Sequence, residues 1–155
     1  MPLDRMRAES IDFIFPEDLN HHGTLFGGKI AKQMAKTASI VATKYARNKI
    51  LLISINNFKF TAPVLLGDTF RIVANVVGTG RTSIEIKAQG MTQNPLTGEE
   101  KLACFAYFTF VKLSEENTPL PVDPFPETEQ SAREMEIIRR SKEVGKAFEA
   151  LQMEP

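Results

Sequence analysis

The chain has 155 residues, 43% hydrophobic and 25% charged, the size and composition of one ordinary globular domain with enough apolar material for a core. Nineteen basic residues balance nineteen acidic ones, so the basic excess that favours nucleic acid or an anionic membrane surface is absent and neither is expected as a partner. The single cysteine, Cys104, excludes an internal disulfide framework and points to a reducing compartment. The opening MPLDRMRAES has no apolar signal region, and no run approaches the roughly 20 apolar residues of a membrane span, which makes a cytoplasmic location the expectation.

In chain order, SIDFIF (10–15) alternates weakly and stops at Pro16, predicting a first strand. PEDLNHHGT is turn-rich. From about Leu25 to Ala46 the period is helical. Lys29, Lys32, Lys36, Ser39, Thr43 and Arg47 form a polar stripe, and Ile30, Met34, Ala38, Val41 and Tyr45 an apolar one. Ala31, Ala35 and Ala42 keep that helix slim, so another layer can come close to its axis.

Four strand-like runs follow. ILLISINNFKFTA is rich in β-branched and aromatic residues and ends at Pro63. In TFRIVANVV, Phe70, Ile72, Ala74 and Val76 share one face. In TSIEIKAQGMT, Ile84, Ile86 and Ala88 alternate with Glu85, Lys87 and Gln89, predicting one dry and one polar face. KLACFAYFTFVKL is apolar on both faces and is expected inside the sheet. Cys104 lies in this run, where packing is favoured over nucleophilic use. Turns at LLGD, GTGR and NPLTGEE are short enough for antiparallel neighbours. The fold class is therefore α+β, with an antiparallel sheet of about five strands around one long helix. Residues 1–120 are expected to form the domain. Residues 121–155 form an extension with a proline-rich strap and an amphipathic, heavily charged helix from Glu127 onward.

Candidate chemistry gathers at the helix start. Adjacent His21 and His22 have no Cys or carboxylate cluster beside them, so no metal site and no cofactor are expected. Gly27-Gly28-Lys29 is not a phosphate loop, since GxxxxGK[ST] is absent, and GxSxG is absent as well. A glycine-rich helix start does leave backbone N–H groups free at the positive end of the helix dipole.

The order Asn20-His21-His22-Gly23-Thr24-Leu25-Phe26-Gly27-Gly28, a buried helix, then FKFTAPVLLGD and an RTS strand resembles the hotdog-fold acyl-CoA thioesterases. Within them it is most similar to the bacterial single-domain, YciA-like branch related to cytosolic acyl-CoA hydrolases, and the likeness runs from about Ser10 to Leu113. The resemblance implies hydrolysis of fatty acyl-CoA to free acid and coenzyme A, the coenzyme entering only as part of the substrate. It also implies sheets paired edge to edge in dimers, three of which commonly make a hexamer, with Asn20 and position 35 brought together from opposite chains.

By that resemblance Asn20 is the catalytic asparagine, and Gly27 and Gly28 supply oxyanion N–H donors. For each, a helix-entry turn residue is the plain alternative. Arg81, Thr82 and Ser83 lie where the family holds the nucleotide part of coenzyme A, against an ordinary turn with an exposed Arg. Asn56 and Asn57 stand where burial is expected and either line the substrate channel or bond across a subunit edge. Thr37 faces the cleft or simply packs, and Phe58 and Phe60 are expected in the core. The departure is Ala35, where QMAKTA replaces an expected QMDKTA. A carboxylate there would be general base or nucleophile, and its loss implies an inactivated enzyme, down by roughly 10²–10⁴ in rate. Ala35 is then either a deliberate Asp-to-Ala change, favoured by the intact surroundings, or the mark of a natural acyl-CoA- or nucleotide-binding protein that does not turn over.

Overall fold

In the computed structural model, which describes residues 5–154, five strands and two long helices follow the alternation and helical periods of the sequence. The strands are β1 (Arg7–Phe13), β2 (Lys49–Phe60), β3 (Thr69–Thr79), β4 (Ser83–Gln93) and β5 (Glu100–Leu113); the helices are α1 (Gly27–Ala46) and α2 (Glu129–Gln152). All neighbours are antiparallel, in the order β1-β3-β4-β5-β2, so β5 is interior as expected and β1 and β2 are the edges.

The register explains how α1 comes so close to the sheet. Ala8 pairs with Ala74, Ala74 with Ala88 and Ala88 with Ala106, a row of alanines crossing four strands. Ala74, Ala88 and Ala106 have no exposed surface, and neither do Met34, Ala38, Val41 and Ala42 of α1 in the same core. Bulkier Phe70, Ile72, Ile84, Ile86, Phe108 and Phe110 fill in around that row, each fully buried and each contributing about 1.5–3 kcal/mol. The result is an antiparallel sheet curled around one helix, the hotdog arrangement. Cys104 belongs to this core. Its Sγ meets Met34 Sδ at 3.4 Å, and burial pushes its thiol up to about 11.

Several expectations change. β1 begins at Arg7, three residues earlier than predicted, and stops at Phe13, two residues earlier, because the chain leaves the sheet at Ile14 and makes a short 3-10 turn over Pro16–Asp18. The polar face of β4 is not wet. Glu85 is fully buried, because α2 lies across that face of the sheet. Thr109 Oγ1 donates to Glu85 at 2.5 Å and Lys142 of α2 pairs with it; Lys87 pairs with Glu134 at 2.6 Å. Ile138 and Met135 of α2 pack on Val77 and Tyr107 beside these pairs.

Asn57 is exposed rather than buried. It sits at a bulge in β2 with φ +55°, a left-handed conformation that Asn tolerates, and its Nδ2 donates to Ser141 of α2 at 2.6 Å. Asn56 is half-buried and donates to Ser54. Phe58 packs against the core, whereas Phe60 is 53% exposed, near the end of an edge strand that has no neighbour on its outer side.

Candidate active site

The segment between β1 and α1 is stitched down on both sides before it reaches the helix. Lys29 Nζ donates to Asp18 Oδ1 at 2.7 Å and to the Glu17 carbonyl at 3.0 Å, and the Phe26 N–H donates to the Asp18 carbonyl. The Lys29 ammonium, helped by the Phe15 N–H, holds the Asp18 carboxyl below its ordinary range. On the other side Leu25 N–H donates to the Val64 carbonyl at 2.9 Å, and Thr24 bridges Leu65. Val64 and Leu65 are themselves held by the GD turn, in which Gly67 has φ +87° and Asp68 Oδ2 accepts from Leu65 N–H and Thr92 Oγ1.

Within this frame Asn20 closes a tight loop. Its Oδ1 accepts from the N–H groups of His22 (2.9 Å) and Thr24 (3.2 Å), and its Nδ2 donates to Thr24 Oγ1 at 3.0 Å. Backbone bonds Asn20 N–H to Thr24 O and Gly23 N–H to Asn20 O complete the turn, with Gly23 at φ +81°. The rings of His21 and His22 lie 3.9 Å apart on the exposed tip. Among the described residues no His, Cys, Asp and Glu group is placed to hold a metal.

α1 starts directly after this loop. Phe26 is its N-cap and offers no capping side chain, and among the described residues no acceptor meets the N–H of Gly27 or Gly28. These donors stand at the positive end of a 20-residue helix. A side chain would crowd Gly28 and would only touch its neighbour at Gly27. A Cβ on Gly28 would sit 2.6 Å from the Phe26 ring, and one on Gly27 3.4 Å from the Phe60 ring. Asn20, Thr24, Gly27, Ile30, Phe60 and Val64 line an open cleft of about 440 Å³. Such a place suits a group that develops negative charge on oxygen, since N–H donors, a primary amide and an apolar wall converge there.

The other candidate residues are distributed more widely. Thr37 is buried, with its hydroxyl donating to the Gln33 carbonyl and touching Ser10 Oγ of β1 at 3.2 Å. Ala35 lies about 160° away around the helix, half-buried and packed against the core. Ser83 lines a separate cleft of about 460 Å³ under α2, beside Gly80, Glu85 and Arg139. Arg81 is exposed and Thr82 half-buried; their carbonyls accept from Val122 and Lys112. Asn57 borders a third, larger groove of about 880 Å³ between β2 and α2, with Ile137, Val144 and Phe148. Within one chain, then, Asn20 and Gly27 share a cleft, and Thr37, Ser83 and Asn57 lie outside it. Thr24 escaped the sequence reading, although Asn followed four residues later by Thr in a Gly-containing loop is the spacing of a side-chain-closed turn.

Comparison with known proteins places the fold in a family. Residues 22–99 match the thioesterase superfamily model. An uncharacterised acyl-CoA thioester hydrolase of Bacillus subtilis, YkhA, is 34% identical over 118 residues, covering 76% of this chain and 69% of its own. A hexameric acyl-CoA thioesterase solved without ligand superposes with a TM-score of 0.87 at 34% identity, over 97% of both chains. An acyl-CoA hydrolase from Staphylococcus aureus, in complex with butyryl coenzyme A and coenzyme A, superposes at 0.84 and 26% identity, over 97% of this chain and 95% of its own. From the matched motif, the shared hotdog fold and these relatives, the chain belongs to the thioesterase superfamily.

Proposed function

We propose that this chain binds acyl-CoA thioesters at the start of α1 and hydrolyses them to a carboxylic acid and coenzyme A, slowly, because Ala35 stands where an acid is needed. The observation that carries this reading is the free N–H of Gly27, opening beside Asn20 in one cleft, with the free N–H of Gly28 next to it at the helix start. In thioester hydrolysis water adds to the carbonyl carbon, the C–S bond breaks, and the proton lost by water ends on the departing sulfur. The Gly27 and Gly28 N–H groups receive the oxyanion formed on the way, and Asn20 donates to the substrate carbonyl or orients the water. Ala35 can take no proton.

Related variants support the choice of position 35. The Staphylococcus aureus hydrolase has been solved as Asn-to-Ala and Asp-to-Ala variants at positions fifteen residues apart, the separation of Asn20 and Ala35 here. A Thr-to-Ala variant of the same hydrolase lies seventeen positions beyond the aspartate, and the same count from Ala35 reaches Leu52 on β2. The Arg81–Ser83 turn and Asn57 are assigned to the coenzyme A and channel side, as residues contributed to a cleft shared between subunits, and Thr37 to the helix wall.

The assembly is proposed to be a dimer at least, and a trimer of dimers in full. The 12-residue edge β2 carries exposed Leu51, Ile53 and Ile55, an unprotected pairing surface. A second chain paired along β2 would bring its own residues toward the Ala35 side of α1 and complete the cleft. A single buried thiol suits a reducing compartment, and we place the protein in the cytoplasm.

Release of coenzyme A from acyl-CoAs of graded length tests the reading. Ala35→Asp, alone or with Leu52→Thr, is expected to raise turnover by roughly 10²–10⁴. A second reading is favoured by Ala35 itself: a non-catalytic acyl-CoA- or nucleotide-binding protein. It prevails if coenzyme A binds while the parent chain and both variants stay inert.

A further inference from the structure

An amide that is to act on a substrate must present one face of itself, and a free Asn side chain rotates. Asn20 is not free. A primary amide has two lone pairs on oxygen and two hydrogens on nitrogen. Here Oδ1 accepts from the N–H groups of His22 and Thr24, and Nδ2 gives one hydrogen to Thr24 Oγ1 at 3.0 Å. One amide hydrogen is left over, and among the described residues no acceptor meets it. Both Asn20 and Thr24 line the cleft that Gly27 opens into. The two N–H bonds into Oδ1 also draw electron density from the amide, which makes that remaining hydrogen a stronger donor.

We propose that Thr24 is the positioning residue of Asn20, its hydroxyl fixing the plane and direction of the amide so that the second Nδ2 hydrogen points at the thioester. The inference rests on the reading of Asn20 as a group that touches the substrate. Thr24 acts through Asn20 and not on the reacting atoms. Its backbone has a separate task, accepting from Asn20 N–H at 2.8 Å and bridging Leu65, and that task does not involve the hydroxyl. Valine has the shape of threonine, so Thr24→Val keeps the loop and removes only the acceptor for Nδ2.

The test uses the full chain, in the Ala35→Asp background where turnover is highest, with butyryl-CoA as substrate. Loss of one hydrogen bond of this kind predicts that Thr24→Val lowers kcat about three- to tenfold with KM nearly unchanged. Thr24→Ser, which restores the hydroxyl, recovers the rate. In an Asn20→Ala background Thr24→Val has no further effect. A drop that persists in the absence of the Asn20 amide, or a failure of Thr24→Ser to rescue, overturns the positioning role and leaves the Asn20 reading standing. An Asn20→Ala chain with undiminished kcat overturns the Asn20 reading itself, and the proposal with it. Side-chain amide NMR reads the same point without turnover. The Asn20 Nδ2 protons exchange slowly in the parent and in Thr24→Ser and faster in Thr24→Val; equal exchange in all three overturns the proposal.

Discussion

Glu85 and Lys142 illustrate how much rests on single side chains. The Glu85 carboxylate has no contact with solvent, and its two oxygens are met by Thr109 Oγ1 and Lys142 Nζ. Removing Lys142 strands a buried charge, which is more costly than never having buried it. Lys142→Met is expected to lower unfolding free energy by about 1–3 kcal/mol, below the fully buried case because the lysine remains partly wet; the shift of the urea midpoint measures it. Asp18 behaves differently, since its ties lie at the surface. Its carboxyl is held low by Lys29 and then by Phe15 N–H. A depressed carboxylate stabilises above its unfolded pKa of about 3.9 and loses that contribution as pH falls through the folded value. Melting curves of the parent and Asp18→Asn are therefore expected to separate above pH 5 and to converge below pH 3.

At the scale of elements, the helix and strands were readable because their periods are undiluted: Phe70, Ile72, Ala74 and Val76 in β3 and the Ile30-Met34-Ala38-Val41-Tyr45 stripe in α1 go where the spacing puts them. Misreadings came from partners distant in sequence. Glu85 looked wet because only the docking of α2, about fifty residues on, covers it. Asn57 looked buried because a bulge with positive φ carries no mark other than the Asn itself. The candidate cleft was legible where it is local, in the Asn20 loop and the start of α1, and illegible where strands from elsewhere supply the walls, as Phe60 does. Two substitutions probe elements. Thr128 caps α2 by accepting from Ser131 N–H at 3.1 Å, so Thr128→Ala is expected to cost about 0.5–2 kcal/mol, read from thermal or chemical denaturation. Gly90 in β4 faces Cys104 and Phe70, and a Cβ there would fall 2.5 Å from Sγ and 2.6 Å from the ring. Gly90→Ala is expected to cost about 1–3 kcal/mol through overpacking, a shift the same denaturation series detects.

For the whole molecule, the proposed β2 pairing links stability, assembly and the cleft. Ile53→Lys puts a charge on the most exposed large apolar residue of β2 and is expected to shift the mass in light scattering toward the monomer and to weaken acyl-CoA binding with it; an unchanged mass would place the interface elsewhere. The one cysteine offers a different handle on the same molecule. Because Cys104 is sealed between Met34, Gly90 and the core, a thiol reagent reaches it only when the sheet comes off α1. In excess reagent the labelling rate is then a clock for the opening of the domain, with no engineered probe and no background from other thiols. Run with and without acyl-CoA, that clock converts ligand binding into protection and ranks chain lengths without relying on turnover.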